Sequence, residues 1–253
     1  MSGDFCAIID RINGVYMEEK DLKTSVKQRI GIIAIAVIML GSMIAGYAAI
    51  VINGNKSAGV ASDSSITDEK LLQYETEYTD KLMEFQAATA GDYSKYANYL
   101  GQITTYDEAA ANDGGVTTVD MTIGGGRELT NGDTNYLAYY AGWCADGTVF
   151  DSSLDDTTKP TAFAKALNAS LGMIDGWNTG VVGMKLGGVR VITIPGAQAY
   201  GDKMEICGGY NKPLKFLVMA VANEDPLKTL ANQLDAAYLK VQYGRYGIDY
   251  ESL

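Results

Sequence analysis

The chain has 253 residues, 47% of them hydrophobic, with a net charge of −11 and no histidine. An acidic surface without clustered Lys/Arg excludes nucleic acid as a natural partner. The absence of imidazole excludes Ser-His-Asp and Cys-His catalysis and removes the commonest zinc ligand. The three cysteines, Cys6, Cys144 and Cys207, are far apart and form no CxxC pair, which argues against a metal site or a disulfide framework. Whether Cys144 and Cys207 pair depends on whether they meet in space.

Residues 30–52 carry no charged side chain. As a helix this run would be roughly 34 Å long, enough to cross a hydrocarbon core of about 30 Å. Lys20, Lys23, Lys27 and Arg29 precede it, whereas only Lys56 follows closely. The positive-inside rule then places 1–29 in the cytoplasm as an N-terminal segment and everything after 53 outside, anchored in the cell membrane by one transmembrane helix. A cleaved signal peptide is the competing reading, but its apolar region would be shorter. Residues 53–65 are small and polar and read as a flexible linker.

A helical segment is expected over 66–113. Leu71, Tyr74, Tyr78, Leu82 and Phe85 recur at spacings of three and four, one face of a helix over 66–90. Tyr93, Tyr96, Leu100 and Ile103 repeat the pattern, and Gly91-Asp92 is expected to break the two apart. Glu77 and Lys81 are spaced for an i,i+4 pair. The simple reading is a helical hairpin packed on itself or on the next domain; the sharper one is an arm for self-association or for holding clients. Beyond 225, Asp225 suits a cap and Pro226 a first helical turn. Leu227, Leu230, Leu234, Tyr238 and Val241 form a stripe on a C-terminal helix ahead of a tail with no readable pattern, the two spanning 225–253.

Between these lies a segment, 114–224, of different texture. Short β-prone runs at 116–123, 135–141, 148–152, 189–194 and 214–222 are separated by turns rich in Gly, Asp and Asn. One helical patch interrupts them, with Ile174, Trp177 and Val181 on one face. Antiparallel strands around a short helix define an α+β domain.

Within it, Tyr140-Ala141-Gly142-Trp143 is followed by Asp146-Gly147-Thr148-Val149-Phe150-Asp151-Ser152-Ser153. Then come Met173-Ile174-Asp175-Gly176-Trp177, Gly183-Met184-Lys185-Leu186-Gly187-Gly188, Arg190 to Pro195, Ala199-Tyr200-Gly201, and a closing run with Leu214 and Phe216. This ordered set resembles the FKBP-type peptidyl-prolyl cis-trans isomerases. The resemblance implies a five-stranded antiparallel sheet wrapped around the short helix, and a shallow apolar pocket for a proline ring. The site residues it implies are Tyr140, Asp151, Trp177 and Tyr200 as catalytic groups. Phe150, Phe163, Met173, Ile174 and Phe216 would bind substrate. Trp177 would form the floor, and Tyr140, Phe150, Phe163 and Phe216 the walls. The Ile174 N–H and the Tyr200 hydroxyl would bond substrate carbonyls, with Asp151 acting through Tyr140. No cofactor or metal is implied. The resemblance implies proline-containing polypeptides as partners, and the apolar run 30–52 adds the lipid bilayer and places those clients outside the cytoplasm.

The chain departs from the family pattern in places. Residues 154–160 are long and lack the arginine often found there, with Asp155 and Asp156 in its place. Thr161 stands where an aromatic is usual. The loop 202–210 lacks the usual proline-rich end, leaving Met204, Ile206 and Cys207 as lip residues. A thinner pocket wall puts turnover in question, so the other reading is a binding, chaperone or envelope-complex module on the same fold.

Overall fold

The structure is a computed structural model and describes residues 66–253. The expected cytoplasmic segment, transmembrane run and linker lie outside the described residues. Among the described residues no helix is long and apolar enough to cross a membrane.

Helix α1 (Asp68–Ala97) starts where Thr67 caps the Lys70 N–H at 3.2 Å, with Asp68 and Glu69 in the first turn. Both features satisfy the amide-rich end of a helix. The helix runs straight through Gly91-Asp92, where a break was expected. A glycine inside a helix costs about 1 kcal/mol, and tertiary packing offsets it here. Phe85, Thr89 and Tyr96, on one stripe spanning that glycine, are all buried. The second half of α1 is also bonded to the rest of the molecule. Tyr93 donates to the Pro160 carbonyl at 2.6 Å, and Tyr96 to that of Leu217 at 3.1 Å. There is therefore one long helix instead of a hairpin. A short helix α2 (Glu108–Asp113) leads into the sheet.

The strands are β1 (Thr117–Thr122), β2 (Tyr136–Trp143), β3 (Val149–Ser152), β4 (Leu167–Asn168), β5 (Val189–Ile194) and β6 (Leu214–Ala222). All pairings are antiparallel, in the order β1-β5-β6-β2-β3. Five strands were expected; the sixth, β4, pairs with β2 beyond the end of β3. Strands β3 and β4 thus occupy one line alongside β2, interrupted by the excursion from 153 to 166. Two residues give no readable alternation, which is why β4 was not legible. Helix α3 (Asp175–Gly180) lies against β5. Its glycines permit the approach: a Cβ at Gly176 would sit 2.1 Å from Ile194 Cγ2, and one at Gly180 2.4 Å from Ile192 Cγ2.

Every residue of β2 is buried, so its sheet is covered on both sides. Alternation along β2 and β6 sorts the side chains into two cores. Tyr136, Ala138 and Tyr140 face α3 with Phe216, Val218, Ile192 and Ile194. Leu137, Tyr139, Ala141 and Trp143 face the other way with Leu217, Met219 and Val221, against Phe85 and Tyr96 of α1. Leu230, Ala231 and Leu234 of α4 (Leu227–Arg245) complete that second core.

The helical segments outside 114–224 therefore share a core with it. Helix α4 begins after Pro226, which is its cap residue instead of part of its first turn. The Asp225 carboxylate accepts from the Thr229 hydroxyl, not from a backbone amide. Glu77 pairs with Lys240 of α4 at 2.9 Å, while Lys81 pairs with Glu84, so the anticipated Glu77–Lys81 pair does not form. The tail returns to α1: Asp249 accepts from Lys70 and Tyr74, each at 2.6 Å.

Candidate active site

A shallow cleft, open to solvent, lies on the α3 side of the sheet. Its lining brings together Tyr140, Phe150, Asp151, Met173, Ile174, Trp177, Tyr200 and Phe216 from five separate stretches of chain. All were expected there. Leu167 of β4 also lines it and was not foreseen, because nothing in an aliphatic residue of a two-residue strand signals a site.

Phe163 is the exception. It is fully buried in the opposite core, stacked on Tyr139 at 3.9 Å between ring centres and met edge-on by Tyr93 and Tyr96, each at 5.3 Å. It stacks on a β2 residue whose side chain leaves the sheet away from the cleft. Thr161 is no substitute wall: it is exposed, and its hydroxyl and N–H are both bonded to Asp155. The cleft wall on that side is therefore aliphatic, through Leu167. Met204, Ile206 and Cys207 pack against the α3-side core without lining the cleft.

The aromatic frame is held by edge contacts, the arrangement preferred by ring quadrupoles. Trp177 meets Tyr140 at 5.8 Å and Phe216 at 5.4 Å, and Phe216 meets Phe150 at 5.7 Å, all near perpendicular. The Trp177 indole N–H is bound below the cleft by the Tyr136 hydroxyl at 2.9 Å, so the ring offers substrate a purely apolar surface. Phe150 and Asp151 are consecutive, and a regular strand would turn one of them away. Between Gly142↔Asp151 and Trp143↔Val149 the register skips Phe150, a bulge that lets both side chains face the cleft. Gly142 makes room for the wall, since a Cβ there would lie 2.6 Å from both phenylalanine rings.

The polar groups sit at the rim. Tyr140 donates to Asp151 Oδ2, and Lys165 Nζ and the Ser152 N–H reach Oδ1 at 2.9 and 2.8 Å. Burial, reinforced by the Asp151 charge, pushes the Tyr140 hydroxyl well above the ordinary phenol range. The same two causes, burial first, push Tyr200 up to about 12. Both phenols thus keep their protons at neutral pH, and Tyr200 can donate to a peptide carbonyl. The Ile174 N–H has no acceptor among the described residues and opens helix α3 beside the cleft. Behind α3, buried Arg190 donates to the Gly180 and Val182 carbonyls at 2.9 Å and is held by Asp120 at 2.6 Å, which fixes the helix that carries Trp177. Among the described residues no group of three metal-ligating side chains occurs.

Cys144 and Cys207 do meet. They form a single disulfide with Cα atoms 5.5 Å apart, a pairing the sequence left open. It ties the β2–β3 turn to the 202–210 loop, two segments 63 residues apart that only the folded chain brings together.

This arrangement is suited to a chemistry without proton transfer or nucleophile. Rotation about a peptide bond costs about 18–20 kcal/mol because amide resonance is lost at the twisted midpoint. The twisted amide is less charge-separated than the planar one. An apolar aromatic cleft therefore disfavours the ground state more than the transition state, and fixed donors at its rim hold the twisted geometry.

A profile of the FKBP-type peptidyl-prolyl cis-trans isomerase family matches residues 125–220. An FK506-binding protein of Neisseria meningitidis serogroup B is 40% identical over 91 residues, 35% of this chain and 76% of that protein. Its counterpart from serogroup A is 36% identical over 111 residues, 43% of this chain and 93% of that protein. A chloroplastic peptidyl-prolyl cis-trans isomerase of Arabidopsis thaliana, FKBP13, is 34% identical over 112 residues, 42% of this chain and 51% of that protein. The chain belongs to the FKBP-type peptidyl-prolyl cis-trans isomerase family. Helices α1 and α4 fall outside the matched residues.

Proposed function

We propose that this chain is an active peptidyl-prolyl isomerase that assists folding of polypeptides outside the cytoplasm, tethered to the cell membrane through residues 30–52. The cleft supports the activity: an aromatic frame with a buried indole floor, and donors confined to its rim. The Cys144–Cys207 disulfide supports the location, because such bonds persist in oxidising compartments and are rare in the cytosol. Four cations before the apolar run and one after it support the orientation. The clients are chains whose folding waits on an X-Pro bond, a step of tens to hundreds of seconds when uncatalysed.

The tether is tested by labelling Cys6 in spheroplasts with a membrane-impermeant maleimide. Labelling only after permeabilisation is expected; labelling of intact spheroplasts, or recovery of the full chain in the soluble fraction, would remove this part of the proposal. Refolding of a client limited by a proline step should accelerate with catalytic amounts of the chain. A rate that rises only at stoichiometric amounts would favour the second reading, a holding module on the same fold. The observation behind that reading is the missing aromatic wall at Thr161. Self-association through 66–113 would have to use the outer side of α1, with Leu72 and Met83, since the inner stripe is buried within the chain.

A further inference from the structure

The Asp151 carboxylate is mostly buried, and a buried carboxylate calls for a cationic partner, yet the segment that follows it holds no arginine. Asp155 and Asp156, which occupy that segment, are turned into their own loop. Asp155 Oδ1 accepts from the Asp156, Thr161 and Ala162 amides at 3.0, 2.9 and 3.1 Å. Asp156 Oδ1 accepts from the Thr158 and Lys159 amides at 2.6 and 3.0 Å. At Asp155 burial pushes upward, but the Thr161 hydroxyl and the Thr161, Ala162 and Asp156 amides together outweigh it and hold the carboxyl below the usual range; at Asp156 the Thr158 hydroxyl and amide lead in the same direction. The loop is thus knit by acids and sends nothing toward the cleft.

The cation arrives from further along. Lys165 Nζ lies 2.9 Å from Asp151 Oδ1 and 6.0 Å from the centre of the Tyr140 ring. Its backbone is anchored on both sides. The Ala164 N–H bonds the Ser153 carbonyl at 2.8 Å on one side, and Leu167 pairs with Ala138 in β4 on the other. The ammonium therefore stands on a rigid support, about two-thirds buried against an Asp151 side chain that is only 17% exposed. With one carboxylate oxygen held by Lys165 and Ser152 and the other by Tyr140, Asp151 has a single orientation.

We propose that Lys165 is a positioning residue of the isomerase site: it fixes the Asp151 carboxylate, and through it the Tyr140 hydroxyl, so that the phenol proton is committed to Asp151 and the phenol oxygen is held still at the cleft rim. Lys165 itself does not touch substrate. The inference rests on the isomerase reading for its kinetic consequence but not for its geometry, and the two are tested separately.

Lys165→Met, Lys165→Arg, Asp151→Asn and the double variant Lys165→Met/Asp151→Asn are made in the full chain, and each is checked for unchanged thermal unfolding. Lys165→Met should lower kcat/KM for X-Pro peptides on the order of tenfold, the size of one charge-assisted hydrogen bond, mostly through kcat. Arginine should restore most of it. In the Asp151→Asn background, removing Lys165 should change nothing further, since its only route to the reaction is gone. A second readout needs no turnover. The buried Tyr140 hydroxyl proton, bonded to a carboxylate, should give a slowly exchanging downfield NMR line that survives Lys165→Arg and is lost in Lys165→Met. An unchanged line and unchanged kcat/KM in Lys165→Met, or full additivity in the double variant, would overturn the proposal. Should the wild-type chain show no isomerase activity while the line behaves as stated, the positioning stands and the isomerase reading falls.

Discussion

Replacing Phe163 by alanine separates the two faces of the sheet. The ring is fully buried between Tyr139, Tyr93 and Tyr96, on the side opposite the cleft. Its removal deletes a large apolar volume from a packed core, which costs about 3–5 kcal/mol. The parallel stack on Tyr139 and the two edge contacts place the loss toward the upper end of that range. Ordinary domains are stable by about 5–15 kcal/mol, and one from the middle of that range upward remains folded in buffer after such a loss. Urea unfolding followed by tryptophan fluorescence should show a lower midpoint with little change in slope. Peptide isomerisation, measured well below that midpoint, should stay within about twofold of wild type because the cleft lies across the sheet. Phe163→Leu, which keeps most of the volume, should lose less stability and again keep its activity. Loss of turnover with the unfolding midpoint unchanged would mean that the ring faces substrate, and would refute the assignment of the two faces.

Other consequences follow from the same packing. Arg190→Leu strips the Gly180 and Val182 carbonyls and Asp120 of their donor; it should cost about 2–4 kcal/mol in urea unfolding, discounted because Asp120 is partly exposed. Cys144→Ala with Cys207→Ala, or reduction, should cost about 2–4 kcal/mol by freeing a 63-residue separation in the unfolded chain, read as a shift of the same transition. Alkaline pH should destabilise the fold. Burial raises Tyr136 and Tyr200 to about 12 and holds Tyr140 and Tyr96 well above the ordinary phenol range, so above pH 10 the unfolded chain loses phenol protons that the folded chain keeps. The folded state then binds more protons, and stability falls with rising pH through that window by about 1.4 kcal/mol per unit for each such tyrosine. The share of tyrosinate absorbance that these four phenols contribute should therefore appear in one cooperative step with unfolding, after that of exposed tyrosines such as Tyr210 and Tyr246; full tyrosinate absorbance with the fold intact would contradict it.

Much of this could be read from the sequence because the signals were local. Strands β5 and β6 are short β-prone, mostly apolar runs bounded by turn residues, and the cleft residues from Tyr140 to Phe216 fall in motifs of a recognisable order. What escaped depended on contacts between distant parts. Gly91 reads as a helix breaker until Tyr96 finds its place under β6. Phe163 is an aromatic beside the cleft motif, and only the pairing of the sheet decides which side of it the ring occupies. The bulge at Phe150 leaves no mark in the sequence. Lys165 was missed for a further reason: a lone lysine between apolar residues looks like any surface charge, and its role exists only through Asp151, fourteen positions away. The disulfide, likewise, joins cysteines whose spacing carries no pattern.

The central claim is that the α3-side cleft isomerises X-Pro bonds. The most direct measurement is cis-to-trans exchange of an X-Pro peptide by NMR, with the full chain and with its Trp177→Ala and Asp151→Ala variants, each shown to be folded. The account predicts exchange well above the uncatalysed rate for wild type and a large loss in both variants. Exchange at the uncatalysed rate from folded wild-type chain, or turnover unaffected by the loss of Trp177, would contradict it.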